Sequence, residues 1–241
     1  PIISATWAKD DDISRLLRSL PNWPNIHGHT KHRKKEIEEN SEAIRMRNER
    51  ESELLINNLG ETVIKKNEVI LNAADLKTLA NLQESTEWLT GRIKSFSSSL
   101  SGDTTGINIV SPGSHEKLKV QEIPPISEDM LRILNNLGQD FQNLAEMCLL
   151  VLHLEIRCHC FYYLLQALRQ TSYVCTVESV DADALVIQMN KDLIALEDIV
   201  ATSLAPHKFK YMFEGLGHML SSLIISAAPN IRKINSNGIK K

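Results

Sequence analysis

Cys158, His159 and Cys160 stand side by side in HLEIRCHCFYYLLQALRQ, residues 153–170. Two thiols and an imidazole are donor types of a zinc site or a redox centre. Helical geometry opposes that use. At about 100° per residue the two cysteines project roughly 200° apart, so one tetrahedral ion cannot take both. His153 and His159 also fall on different faces. Free cysteine packs as a small hydrophobe, so the segment reads as core. Cys148 and Cys175 complete the set of four cysteines, with no repeating spacing and no sign of a disulfide scaffold.

Two other stretches invite a chemical reading. In EGLGHML, Gly215 and Gly217 have the spacing that opens a dinucleotide fingerprint, but Leu220 stands where the third glycine belongs and a helix precedes the motif. Small residues there serve close helix approach instead. In KHRKK, the cations Lys31, Arg33, Lys34 and Lys35 offer a contact for acidic lipid or a partner. The glutamates that follow offset this field at longer range and favour a solvated helix start. No HExxH, Walker loop, zinc-ribbon spacing or Ser, His and acid grouping supplies a nucleophile, metal or cofactor. No catalytic, cofactor-binding or metal-ligating residue is therefore assigned.

The elements that carry these residues are helical. A short helix is expected at 11–20, opened by Asp10, Asp11 and Asp12 and closed by Pro21 and Pro24. Mixed charge over 27–58 predicts a loop or frayed helix that becomes packed towards its end. TVIKKNEVIL reads as a connector, and 75–96 as a helix on Leu76, Leu79, Leu82, Leu89, Ile93 and Phe96. Residues 97–126 are rich in Ser, Gly and Pro, lack a sustained period and read as a long loop. Ser127 is the expected N-cap of a long helix whose contact stripe runs Leu134, Leu137, Phe141, Leu144, Cys148 and Val151, then Cys158, Tyr162 and Leu165. From Leu149 its other faces turn apolar too, which predicts burial among several neighbours. Asp183 opens a further helix ended by Pro206, and one more is expected from Phe209 through Phe213, Leu216 and Leu220 to Pro229. The expected core includes Phe141, Cys148, Cys158, Phe161, Phe209 and Phe213.

The 241 residues allow one large or two modest domains, and 42% hydrophobic with 24% charged residues fits a soluble globular chain. A formal net charge of -3 gives no field favouring nucleic acid. Few aromatics, Gly and Pro beside many Leu, Ile, Glu and Lys favour an all-α fold. No leader pattern or uninterrupted apolar run of bilayer length is evident, so a cytosolic setting is expected. NIRKINSNGIKK looks like the beginning of a truncated amphipathic helix, which predicts a piece of a longer protein.

Several blocks together carry a family resemblance: LLRSLPNW, DLKTLANLQESTEWL, HLEIRCHCFYYL, MNKDLIALED, and the most specific, HKFKYMFEGLGHMLSSLIISAAPNIRKINSNGIKK. They resemble the C-terminal region of the exocyst complex component four family. The resemblance weakens over 26–53 and 97–126. It implies consecutive antiparallel helical bundles in an elongated tethering rod: an incomplete bundle at 1–99, a flexible loop at 100–126 and a C-terminal bundle at 127–241. It implies partnership with other exocyst subunits, with SNARE or small GTPase regulators met through the whole complex, and a cytoplasmic location with recruitment to exocytosis sites at the plasma membrane. It implies no catalytic residue. A peripheral membrane module using the basic segment is the rival function.

Overall fold

A computed structural model describes residues 2–20, 23–24, 41–102, 127–176, 182–231 and 233–240. Among these, eight α-helices follow one another: α1 Ile3–Trp7, α2 Asp11–Arg18, α3 Ser41–Leu59, α4 Ala73–Gly102, α5 Glu128–Gln170, α6 Ala184–Ser203, α7 Pro206–Phe213 and α8 Leu216–Ala227. No described residue belongs to a strand; one isolated parallel bridge joins Tyr173 and Ile234. The all-α expectation holds.

Local chemistry sets the helix ends. The Asp10 side chain accepts from the backbone N–H groups of Asp12 and Ile13 at the start of α2. Ser127 accepts from Met130 N–H and Asp183 from Leu185 N–H, capping α5 and α6 as the sequence predicts. Pro206 sits in the first turn of α7, where no N–H is needed.

α5 is the axis of the fold. Its 43 residues pack against α1, α4, α6, α7 and α8, and its most extensive partner is α4. Every residue from Cys148 to Phe161 is buried, as expected for a segment apolar on all sides. By length and composition α5 could cross a membrane, unlike the expectation from the sequence, but 94% of its most apolar window is buried inside the protein. The one-sided first half differs from the expected stripe. Leu137 and Leu144 are 44% and 42% exposed, whereas Gly138, Gln142 and Ala145 are buried. The reason is close approach of α4: a Cβ on Gly138 would lie 3.1 Å from Ile93 Cγ2. Ser97 Oγ donates to Asn135 Oδ1 at 2.6 Å, and Lys94 Nζ donates to Gln142 Oε1, holding the two helices antiparallel around that point.

Three further expectations are corrected. Residues 97–102 continue α4 rather than joining the loop; 103–126 lie outside the described residues. The single helix expected from Phe209 to Pro229 is two, because Gly215 at φ 73° breaks it before α8. The C-terminal amphipathic helix does not form among the described residues; Ile234 instead pairs with Tyr173, and Gly238–Lys240 is a 3-10 turn. One buried cluster draws on Leu17, Leu55, Leu76 and Ala80 from before residue 100 and on Leu149, Phe161, Leu196, Tyr211 and Leu223 after it. The expected boundary at 100–126 is therefore not a boundary between two separate cores. Of the expected core residues, Cys148, Cys158 and Phe161 are buried, Phe209 and Phe213 are half-buried against the cluster, and Phe141 is half-buried outside it. The fully buried residues of α7 are instead Lys208, Tyr211 and Met212, so its inner face is turned from the one expected.

Candidate functional site

The thiols that open the chemical question are structural. Cys158 and Cys160 are buried and free, and burial pushes the Cys160 thiol up to about 12 and that of Cys158 well above its ordinary range. Cys160 Sγ donates to Ile156 O one turn back. No group of three or more His, Cys, Asp or Glu among the described residues is placed to hold a metal ion. Gly217 has open space around it, and Gly215 abuts Asn48, so EGLGHML forms a helix break rather than a phosphate cradle. Lys31, Arg33, Lys34 and Lys35 lie outside the described residues.

The polar centre of the molecule is a different set, Glu51, His153, Arg157 and Tyr211, all at most 2% exposed. His153 and Arg157 are one turn apart on α5, so they face the same way. Glu51 reaches them from α3. Its Oε1 accepts from Arg157 Nε at 2.9 Å and lies 2.8 Å from His153 Nε2. The other His153 nitrogen, Nδ1, lies 3.0 Å from Tyr211 O, and the imidazole stacks on the Tyr211 ring with centroids 4.4 Å apart. Arg157 spends its remaining donors at the break between α7 and α8: one terminal nitrogen donates to Met212 O and the other to Glu214 O at 2.6 Å. These are carbonyls that a continuous helix would have engaged internally. The break and the arginine therefore explain each other.

Electrostatics follow from burial and pairing. Burial alone would raise the Glu51 carboxyl, but the charges of Arg157 and His153 outweigh it and hold the group at about 2. Burial, aided by the neighbouring Arg157 charge, pushes His153 down to about 4 against the opposite pull of Glu51. A neutral imidazole has one N–H, yet both of its nitrogens face acceptors, so one contact is left without a proton. Tyr211 is raised well above its ordinary range by burial and by Glu51.

Two further ties have the same character. Glu155 accepts from Ile70 N–H, and His159 Nε2 lies 3.1 Å from Ile70 O, so α5 clasps both backbone groups of one connector residue. Burial raises Glu155 and lowers His159. Lys208 of α7, fully buried, donates to Gln83 Oε1 at 2.8 Å and Glu84 Oε1 at 2.6 Å and also pairs with Glu87, fastening α7 to α4. Glu51, Arg157 and Lys208 are thus engaged in joining helices. A depression of about 340 Å³, open to solvent, is lined by Asp11, Ser14, Arg15, Arg18 and Ser19.

Charge run and apolar run each concealed part of this network. Glu51 reads as one more solvated glutamate in a mixed-charge segment. The legible signal is on α5: His153, Glu155, Arg157 and His159 interrupt a run that is otherwise apolar all round, and polar groups so placed require partners from elsewhere.

No protein-family model matches the chain. Along its full length it is 46% identical to exocyst complex component 4 of Mus musculus and likewise to that of Homo sapiens, and 34% identical to that of Drosophila melanogaster. The chain spans about a quarter of the length of these relatives: 24% of the two mammalian proteins and 25% of the fly protein. The blocks that first carried the resemblance fall within this end-to-end match, and the chain belongs to the exocyst complex component 4 family.

Proposed function

We propose that this chain is a non-catalytic helical scaffold within an exocyst vesicle-tethering complex, binding other subunits during exocytosis in the cytoplasm and at plasma-membrane sites. The observation that carries this reading is the use of the buried polar groups. Glu51, His153, Arg157 and Lys208 join α3, α4, α5 and α7 to one another. Such ties give a rigid body of fixed surface shape, which a spacer and binding platform requires. Turnover, in contrast, needs convergent titratable groups beside a space for substrate. Kinship with exocyst components along the full chain supports the same reading.

The test is assembly of the full-length protein. Tagged full-length chain is expected to recover the other exocyst subunits in constant ratio, and Arg157→Met, which removes one of the two α5 side chains that hold Glu51 of α3, is expected to lower both helical content and recovery. Recovery of a well-folded full-length chain without any other subunit would overturn the scaffold reading.

A further inference from the structure

Beyond the end of α5, where the sequence suggests an amphipathic helix, two short stretches of backbone form a clip. Residues 171–176 lie beside 233–239, joined by the bridge between Tyr173 and Ile234. Asn235 is the fastener. Its backbone N–H donates to Tyr173 O at 3.3 Å, its Oδ1 accepts from Cys175 N–H at 3.2 Å, and its Nδ2 donates to Cys175 O at 2.9 Å. The side chain thus pairs with both backbone groups of Cys175, as a neighbouring strand would. The same Oδ1 accepts from Gly238 N–H at 2.8 Å, and Asn237 Nδ2 donates to Cys175 O at 3.4 Å.

Space requires the glycine. A Cβ at Gly238 would lie 1.6 Å from Tyr173 O, a backbone atom held in the bridge. The fold therefore places a glycine directly after Asn237, and this is the chain's single Asn-Gly step. Such a pair is chemically labile, because without a side chain on the second residue its backbone nitrogen can swing onto the asparagine amide carbon unobstructed. The Gly238 nitrogen gives its proton to hydroxide and bonds to Asn237 Cγ; the Cγ–Nδ2 bond breaks, and Nδ2 leaves as ammonia with a proton returned from water. The succinimide so formed takes up one water and opens at either carbonyl, to an aspartic or an isoaspartic acid that then ionises. Water is the only co-reactant.

Two contacts of the clip oppose this reaction. Donation of the Gly238 N–H to Asn235 Oδ1 favours the protonated nitrogen over the anion that must attack. The bond from Asn237 Nδ2 to Cys175 O holds the side chain, and Gly238 is itself buried. Reaction therefore requires local opening of 233–239. Its product cannot close the clip again. A carboxylate at 237 sets negative charge against Cys175 O where a donor stood, and the extra backbone carbon of isoaspartate displaces Gly238 from its place against Tyr173 O. We propose that Asn237 is a self-modification site, that Asn235 is the guard that keeps it unreacted in the closed clip, and that its conversion permanently releases 233–239 from the end of α5. The site stands or falls independently of the scaffold function.

Full-length protein incubated in mildly alkaline buffer, then digested and mapped by mass spectrometry, shows conversion at Asn237 as the mass gain of amide to acid. The rate in folded wild type should be on the order of tenfold or more below that in guanidinium chloride, where the clip is open. Asn235→Ala should raise the folded rate several-fold with helical content unchanged. Tyr173→Phe, which loses the hydroxyl bond to Ala167 O but keeps Asn235, should stay near wild type. Converted chains should also be cut by trypsin after Lys233 faster than unconverted ones. Equal rates in folded and unfolded wild type would overturn the inference, as would absence of conversion in the unfolded chain or equal tryptic cutting of converted and unconverted protein. No acceleration in folded Asn235→Ala, or equal acceleration by Tyr173→Phe, would remove Asn235 as the guard. If Asn235→Ala does not fold, the folded and unfolded wild-type rates and the tryptic comparison still decide the case.

Discussion

At the residue scale, the molecule depends on a few buried charges whose partners come from distant parts of the chain. Glu51→Gln would keep the shape of the side chain but leave the Arg157 guanidinium buried without a counter-charge, at a cost of about 3–5 kcal/mol. A double variant, Glu51→Met with Arg157→Met, removes both charges and is expected to recover part of that loss, read as urea midpoints of the three proteins. His153 makes a second, pH-dependent prediction. Its folded pKa, about 4, lies below the ordinary 6.5, so between these values the unfolded chain binds the extra proton and the folded one does not. Stability therefore falls as pH drops from 6.5 towards 4, by roughly 2 kcal/mol at pH 5 from this residue. Glu51, Arg157 and Tyr211 face the imidazole; His159, also lowered, acts in the same direction, and Glu155, raised by burial, acts in the opposite one. The measurement is therefore the difference between wild type and His153→Asn, whose stability should fall less between pH 7 and pH 5; equal falls would contradict the assignment. Of this network the sequence displays only the α5 members, because a polar residue within an apolar run announces itself. Glu51 does not, since nothing in a mixed-charge segment distinguishes the one carboxylate that turns inward.

At the element scale, the two glycines of EGLGHML separate a structural requirement from an incidental residue. Gly215 has a positive φ, and a Cβ there would meet Asn48 Oδ1 at 2.8 Å. Gly215→Ala should therefore cost on the order of 1–2 kcal/mol or more, whereas Gly217→Ala, with open space around it, should change stability by no more than about 0.5 kcal/mol. Thermal melts of the two variants check the contrast, and equal losses would mean that the break before α8 is not held by Gly215. Helix existence and caps were legible here: Asp10, Ser127 and Asp183 all cap where their side-chain chemistry suggests. Helix rotation was less so. On α5 the periodic leucines mark one stripe, yet α4 settles beside Gly138 and Ala145, because small residues permit closer approach than leucine does. Leu137 and Leu144, left outside, stay partly exposed. On α7, likewise, Tyr211 and Met212 are buried ahead of Phe209 and Phe213, since Arg157 holds the carbonyls at the end of that helix and fixes its turn.

At the scale of the whole molecule, α4 and α5 bind the two sides of the chain into one body. Leu76 and Ala80 share a buried cluster with Leu149 and Leu196, and Lys208 is fastened to Gln83 and Glu84. Unfolding followed by circular dichroism and by tryptophan fluorescence should accordingly show one coincident transition; two separated transitions would restore independent bundles at 1–99 and 127–241. The loop-rich composition of 97–126 suggested a division that packing does not follow, because chain irregularity marks where a connection lies and says nothing of whether the elements on either side share a core. The central claim is that this body serves assembly and carries no turnover of its own. Its most direct test places folded surface variants in the full-length protein and measures, for each, the fraction recovered in assembled exocyst beside the rate of secretion. The account predicts that secretion falls in proportion to assembly across the whole set. A variant that is folded and fully assembled yet abolishes vesicle tethering would contradict it.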